Sequence, residues 1–211
     1  MPIVVQPILS GPPYRSNCYI VRPHGEADQA AVIDPGGEAA TLLAALASAG
    51  TRVAGILVTH TDIDHVAAVA ELAAGTHADV WVPAGEADAL RSGTTRGQLR
   101  VSPHDPEHTL ADGDLLDVAG IAFQVVGVPG HSVDHLAFYA DGKLFSGDLL
   151  FAGSIGRTDL PGGDLEALLA SIARLLERFG RDAIVYPGHG APTTLGQELA
   201  TNPFLGTLRA A

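Results

Sequence analysis

Cysteine, lysine and tryptophan are almost missing from this chain: each occurs once, as Cys18, Lys143 and Trp81. One cysteine cannot build an internal disulfide framework, and it excludes every multi-cysteine zinc site. Positive charge is scarce as well, with 12 basic residues against 24 acidic ones and a net charge of −12. A surface of that sign repels phosphate backbones and anionic headgroups, so no nucleic acid and no membrane is expected as a partner. No apolar run approaches the ~20 residues of a spanning helix. The opening Met1-Pro2-Ile3-Val4-Val5 has neither a basic n-region nor a small-residue cleavage site, which predicts a cytoplasmic location. Charged residues at 17%, with 25 glycines and 14 prolines in 211 residues, do not reach the composition of a disordered chain. What is present is apolar material, 46% of the residues, and nine histidines. One domain spanning residues 1–211 is expected, because no low-complexity linker or charge run divides the chain.

Short apolar runs at Ile3–Leu9, Cys18–Val21 and Ala30–Ile33 read as strands separated by turn formers. Asp34-Pro35-Gly36-Gly37 breaks the chain before a helix over Glu38–Ala49, and Val53–Val58 reads as a buried strand. A helix is expected over Val66–Ala74 and a strand over Asp79–Val82, whereas Gly85 to Pro106 carries no clear period. The second half repeats the theme with strands at Ile121–Val128, Leu136–Tyr139, Leu144–Phe145 and Ala183–Tyr186. It adds a helix over Leu165–Phe179 capped by Asp164 and a short closing helix over Thr194–Ala200. Strands and helices thus alternate in two successive halves. Two mixed sheets face to face with helices outside accommodate that order, an α+β fold of the four-layer αββα sandwich kind.

Four segments share one grammar, an apolar strand followed by His or Asp in the loop just beyond. They are Leu57-Val58-Thr59-His60, Val128-Pro129-Gly130-His131, Phe145-Ser146-Gly147-Asp148 and Tyr186-Pro187-Gly188-His189. Rigid scaffolds display functional side chains on such loops, and imidazole with carboxylate is the ligand chemistry of Zn, Mn and Fe. His60, Asp62, Asp64 and His65 add a dense cluster of candidate ligands. Any one of these residues alone reads as an ordinary polar loop residue; four strand-end placements together do not. Cys18 and Trp81 read as core residues, and His24, His77, His104 and His108 as exposed loop residues.

In their order these pieces resemble the metallo-β-lactamase superfamily, most closely its glyoxalase II-like branch. That family's signature runs T-H-x-H-x-D-H, then G-H-[ST], S-G-D and P-G-H-G, matched here by Thr59–His65, Gly130-His131-Ser132, Ser146-Gly147-Asp148 and Pro187–Gly190. Likeness extends through Phe145–Gly163 and Tyr186–Phe204, and from about Asn17 onward in all. The resemblance implies the metallo-β-lactamase fold, with a metal site at one edge of the two sheets. It assigns His60, position 62 and His131 to a first metal and Asp64, His65 and His189 to a second, with Asp148 bridging. Two zinc ions are implied, with a metal-bound hydroxide as nucleophile, Asp64 orienting it, and an acyl thioester as the small-molecule substrate. Arg157 falls where family members carry a basic substrate-contacting residue; the competing reading pairs it with Asp159 or Asp164.

One position departs from the family pattern, which has His where this chain has Asp62. The shorter, charged side chain can ligate directly, ligate through water, or leave the first site open, and it makes Fe²⁺ or Mn²⁺ more competitive there. His135 is not expected to substitute as a ligand. The resemblance also leaves two other functions open. One is a persulfide dioxygenase holding a single iron on His60, His131 and Asp148, which Asp62 does not disturb. The other is a binding protein without full metal occupancy.

Overall fold

A computed structural model describes residues 2–25 and 28–209. The first half of the chain forms a six-stranded sheet in chain order: β1 (Ile3–Leu9), β2 (Asn17–Pro23), β3 (Gln29–Ile33), β4 (Arg52–Leu57), β5 (Val80–Pro83) and β6 (His108–Leu110). Pairing is antiparallel from β1 to β3 and parallel from β3 to β6. Helices α1 (Ala39–Ser48), α2 (Ile63–Val66), α3 (Val69–Thr76) and α4 (Ala87–Ser92) lie between its strands in the chain. The second half begins with β7 (Leu115–Val118), β8 (Ile121–Gly127), β9 (Leu136–Ala140) and β10 (Lys143–Gly147). A small hairpin, β11 (Leu150–Phe151) with β12 (Ser154–Ile155), leads to α5 (Leu165–Phe179). Then come β13 (Ile184–Pro187), β14 (Thr193–Thr194), α6 (Leu195–Thr201) and α7 (Gly206–Arg209). The second six-stranded sheet has the order β14-β13-β10-β9-β8-β7, and β10 runs parallel to β13.

Alternation along the strands explains why the layers stack. In β2, Cys18 and Ile20 pack with Leu42, Leu46, Val69 and Leu72 of the helices on one side. Tyr19 and Val21 face the other way and meet Phe123, Val125, Phe138 and Phe145 between the sheets. In the second sheet Val126, Leu144 and Val185 turn outward onto Leu168, Ile172 and Leu175 of α5. Strands buried on both faces read as continuous apolar runs, as these do. Each fully buried Leu, Ile or Phe contributes roughly 1.5–3 kcal/mol. The Asp164 carboxylate accepts the Ala167 N–H at 3.0 Å and caps α5, worth about 1 kcal/mol. The outcome is the αββα sandwich expected from the order of elements.

Three local expectations are corrected. The helix expected over Val66–Ala74 is two helices, because the chain stops and restarts at Ala67–Ala68, where the Ala68 N–H is taken by the Pro35 carbonyl at 2.9 Å. His108, expected in a loop, opens the edge strand β6. It stacks on the half-buried Trp81 ring at 4.5 Å and pairs with Asp79 at 2.9 Å. His104, expected exposed, is half-buried. Cys18 is a core residue, 2% exposed, as its apolar strand predicts.

Candidate metal centre

The chain positions that follow β3, β4, β8, β10 and β13 meet at one end of the two sheets, and they carry Asp34, His60, His131, Asp148 and His189. The parallel pairs β3–β4 and β10–β13 make this possible, since parallel neighbours deliver their ends to the same edge. The β4 end adds α2, whose single turn presents Asp64 and His65. Backbone and side-chain bonds lock the loops together across the sandwich. The Leu136 N–H donates to the Thr59 carbonyl at 2.9 Å, and the Asn17 N–H donates to the Gly188 carbonyl at 2.7 Å. The Asn17 amide also reaches the carbonyls of Pro187 (2.9 Å) and Gly190 (2.8 Å), and the Ser16 hydroxyl donates to the Asp64 carbonyl at 2.6 Å. Glu86 ties two ligand-bearing loops, accepting from the Thr61 N–H at 2.6 Å and from the Ser132 hydroxyl.

Six of the seven expected ligands form one continuous cluster around Asp148. His65 Nε2 lies 3.3 Å from Asp148 Oδ1, and Asp148 Oδ2 lies 3.5 Å from His189 Nε2 and 3.8 Å from His131 Nε2. His189 Nε2 is 3.0 Å from Asp64 Oδ2, which is 3.7 Å from His65 Nε2. The ligand atoms of His60, His131 and Asp148 fall within 4.8 Å of one another, as do those of Asp64, His65 and His189. The second of these groups is the set that the resemblance assigns to the second metal; the first has Asp148 where the resemblance places position 62, and a third group brings Asp34 together with His60 and His65. The seventh, Asp62, reaches the cluster at 3.2 Å from His131 Nε2, yet its carboxylate is gripped by Arg96 through Nε at 2.6 Å and Nη2 at 2.7 Å. Arg157 stands at the rim of the cleft above these groups, where Asp159 holds its guanidinium through two hydrogen bonds of 2.7 Å. Its backbone carbonyl accepts from His131 Nδ1 at 2.8 Å.

Do these residues fit a divalent ion? His60 Nε2, His65 Nε2 and Asp148 Oδ1 are buried atoms without a hydrogen-bond partner among the described residues. Leaving one such group unsatisfied costs about 1–3 kcal/mol, so three aimed at one point call for a cation to share. The other ring nitrogen of each histidine is fixed. His65 Nδ1 faces Asp34 Oδ2 at 3.0 Å and His60 Nδ1 faces the Thr59 hydroxyl at 3.0 Å. That arrangement directs each Nε2 toward the cluster, the usual way proteins set the ligating nitrogen. The donor set is imidazole and carboxylate throughout, which fits.

Electrostatics agree. Burial pushes His60 well below the usual imidazole range, with the neighbouring histidines adding to it. Burial opposes the charged form of His65 too, but Asp148 and Asp34 outweigh it and raise this group. His189 is likewise pushed up to about 9, burial being overcome by Asp148 and Asp64. Burial of Asp148 would raise its carboxyl, yet His65 and His189 hold it well below the ordinary range. The raised His65 and His189 and the lowered Asp148 share one cause, imidazole and carboxylate held close together in a buried site. His135 is buried against His60 at 4.8 Å, and burial pushes it down.

Asp34, which the sequence marks only as part of a chain break, is a positioning group. It stands just beyond an apolar strand, as His60, His131, Asp148 and His189 do within a few residues, and that shared grammar points to it. Its carboxylate accepts the Thr59 N–H and hydroxyl, each at 2.7 Å, besides facing His65. Asp34→Ala is expected to weaken divalent-ion binding 10–100-fold, the cost typical of losing such an orienting partner. Isothermal titration of metal-stripped protein with Zn²⁺ measures it, and an unchanged affinity would show that His65 is oriented by packing alone.

Above the centre lies a cleft of about 320 Å³ lined by Tyr14, Leu99 and Leu160 as well as by Asp64, Asp148 and His189. A family model described as the metallo-beta-lactamase superfamily matches residues 11–189. The hydroxyacylglutathione hydrolase GloC of Haemophilus influenzae is 34% identical over 202 residues, covering 92% of this chain and 94% of its own. Two solved structures superpose closely. BLEG-1 B3 metallo-beta-lactamase has a TM-score of 0.88 at 34% identity, over 96% of this chain and all of its own. TTHA1623 in a di-iron-bound form has a TM-score of 0.82 at 41% identity, over 95% of this chain and all of its own. Fold, strand-end ligand grammar and relatives agree, and the chain belongs to the metallo-beta-lactamase superfamily.

Proposed function

We propose that this protein is a metal-dependent hydrolase of small acyl thioesters. The observation that carries the reading is that His60, His65 and Asp148 each have a buried ligand atom without a hydrogen-bond partner among the described residues, and that Asp148 opens onto a cleft also lined by Asp64, His131 and His189. Asp64, His65, Asp148 and His189 are the residues that would hold divalent metal, with His60 and His131 beside them and Asp62 at the margin. A metal bound there lowers the pKa of water toward ~7 and polarises a carbonyl oxygen.

The rest falls to the chain's own groups. Cys18 lies among the helix-side core residues and burial pushes its thiol up, so it is no nucleophile. Water is the attacking species, and Asp64, which lines the cleft, orients it by accepting one of its protons. Water adds to the acyl carbon, the carbon–sulfur bond breaks, and the thiol leaves with a proton. Tyr14, Leu99 and Leu160 supply an apolar wall for the acyl or thiol portion, and Arg157 is the cation nearest the mouth for an acidic substrate once Asp159 releases it. A thioester substrate is supported by the likeness to the hydroxyacylglutathione hydrolase of Haemophilus influenzae.

Purified protein reconstituted separately with Zn²⁺, Mn²⁺ and Fe²⁺ should release thiol from a hydroxyacyl-glutathione thioester at a rate set by the metal. The same preparations offered a β-lactam, and a glutathione persulfide with oxygen uptake followed, provide the contrast. Ring opening or oxygen uptake that outpaces thiol release would overturn the thioester reading. Oxygen uptake would favour a single iron on His60, His131 and Asp148, whose ligand atoms are close enough for that set.

A further inference from the structure

The half-site that carries the Asp62 departure already holds a cation of the chain's own. Arg96 stands in the turn between Thr94 and Arg100, closed by the Thr95 N–H to the Leu99 carbonyl at 3.0 Å and by the Gln98 N–H to the Thr95 carbonyl at 2.8 Å. From there its guanidinium reaches inward. Nε and Nη2 take both oxygens of Asp62, at 2.6 and 2.7 Å, in the fork geometry that arginine makes with carboxylates. Nη2 is also 2.7 Å from His131 Nε2, and Nη1 donates to the His131 carbonyl. Only about 13% of the Arg96 side chain and 14% of the Asp62 side chain remain exposed, so solvent screens the pair weakly.

The bookkeeping of lone pairs makes this informative. His131 Nδ1 donates to the Arg157 carbonyl at 2.8 Å, so in the neutral ring Nε2 carries the free lone pair. That lone pair faces an Arg96 N–H. It can serve an N–H or a metal ion, but not both at once. Both Asp62 oxygens are committed to the same guanidinium. Of the groups facing this half-site, His60 Nε2 remains without a hydrogen-bond partner among the described residues. The other half-site has no such competitor: Asp64, His65 and His189 face one another and Asp148, and no arginine or lysine makes an ion pair with any of them among the described residues.

We propose that Arg96 is the resident cation of the half-site formed by His60, Asp62 and His131, so that the chain binds one divalent ion tightly, at Asp64, His65, His189 and Asp148. Asp62 and Arg96 then form a matched pair. A carboxylate where the family pattern has imidazole supplies the negative charge that holds the guanidinium, and the guanidinium supplies positive charge where a second ion would lie. Arg96 is a positioning residue in this arrangement, fixing the His131 ring and the Asp62 carboxylate beneath the cleft. The inference rests on reading the cluster as a metal centre, but it is independent of the thioester assignment. It also counts against the single-iron reading, which needs the His131 lone pair.

Calorimetric titration of chelator-stripped protein with Zn²⁺, paralleled by Co²⁺ absorption spectra, tests it without any substrate. One tight equivalent is expected for the parent chain, with any second equivalent at least ~100-fold weaker (about 2.7 kcal/mol). In Arg96→Ala and in the bulkier Arg96→Met, the second equivalent should tighten at least ~10-fold, and a second Co²⁺ spectral component should appear. Two equivalents of indistinguishable affinity in the parent chain would overturn the proposal while leaving the metal centre standing. A second equivalent that stays as weak in both folded variants, checked by circular dichroism, would overturn it as well. No binding at all would remove the metal centre itself, and the proposal with it.

Discussion

Asp148→Ala should leave the purified protein with almost no divalent ion and reduce thioester turnover by more than ~100-fold, beyond the 10–100-fold loss typical of an orienting partner. Among the described residues, Asp148 pairs within 4 Å with His65, His131 and His189, and its Oδ1 is buried without a hydrogen-bond partner. Removing it strips the centre of the charge that offsets a cation and leaves three imidazoles facing one another. The same change withdraws a principal support for the raised pKa values of His65 and His189, so both rings should titrate lower in the metal-free variant. Metal content after dialysis, turnover and imidazole NMR titration read the three effects. Metal content equal to that of the parent chain would show that Asp148 is not a ligand.

Gly188→Ala should do comparable harm although it replaces no candidate ligand. A Cβ at this position would stand 2.1 Å from Asp148 Oδ1 and 2.7 Å from His65 Cε1, both far inside contact distance. The backbone cannot yield easily. The Gly188 N–H donates to the Gly147 carbonyl at 2.8 Å, and its own carbonyl accepts from Asn17 at 2.7 Å. Either the loop carrying His189 moves or Asp148 and His65 do, and each outcome breaks the cluster. Overpacking of this kind costs typically 1–3 kcal/mol, which a stable fold survives. A urea melt should therefore show a modest loss of stability, whereas ion binding and turnover should fall more than ~100-fold. Turnover within a few-fold of the parent would mean that the loop has slack that the hydrogen bonds do not suggest.

The chemistry of the centre was legible in the sequence because it is local. Four of the candidate ligands stand one to four residues beyond a strongly apolar strand, and the signal is the abrupt change from one to the other. His60, His131, Asp148 and His189 all stand in such places, and the structure brings them together. What escaped was non-local. Asp34 obeys the same grammar, but the Pro-Gly-Gly after it pulled the reading toward a turn. Arg96 lies between Gly85 and Pro106, where no period announces an element, and its meaning depends on a partner 34 residues away. The sandwich was legible from alternating strands and helices. The short strands β6, β7 and β14 were not, because edge strands of two to four residues bury too little to leave a pattern. The break between α2 and α3 was hidden for another reason: a distant carbonyl, that of Pro35, captures an N–H in an otherwise helical run.

The bond from the Asn17 amide to the Pro187 carbonyl spans 170 residues of chain. Through it and its neighbours, the loop bearing His189 is fastened to the second strand of the opposite sheet. Neither half of the chain can therefore assemble the centre alone, and a nascent chain carries scattered imidazoles rather than a partial ion trap. Closing contacts of such long range costs the loop-closure entropy of nearly the whole polymer. An ion that binds only the finished arrangement would stabilise the entire sandwich by mass action. The centre would then act as a clasp, holding the two halves of the molecule shut.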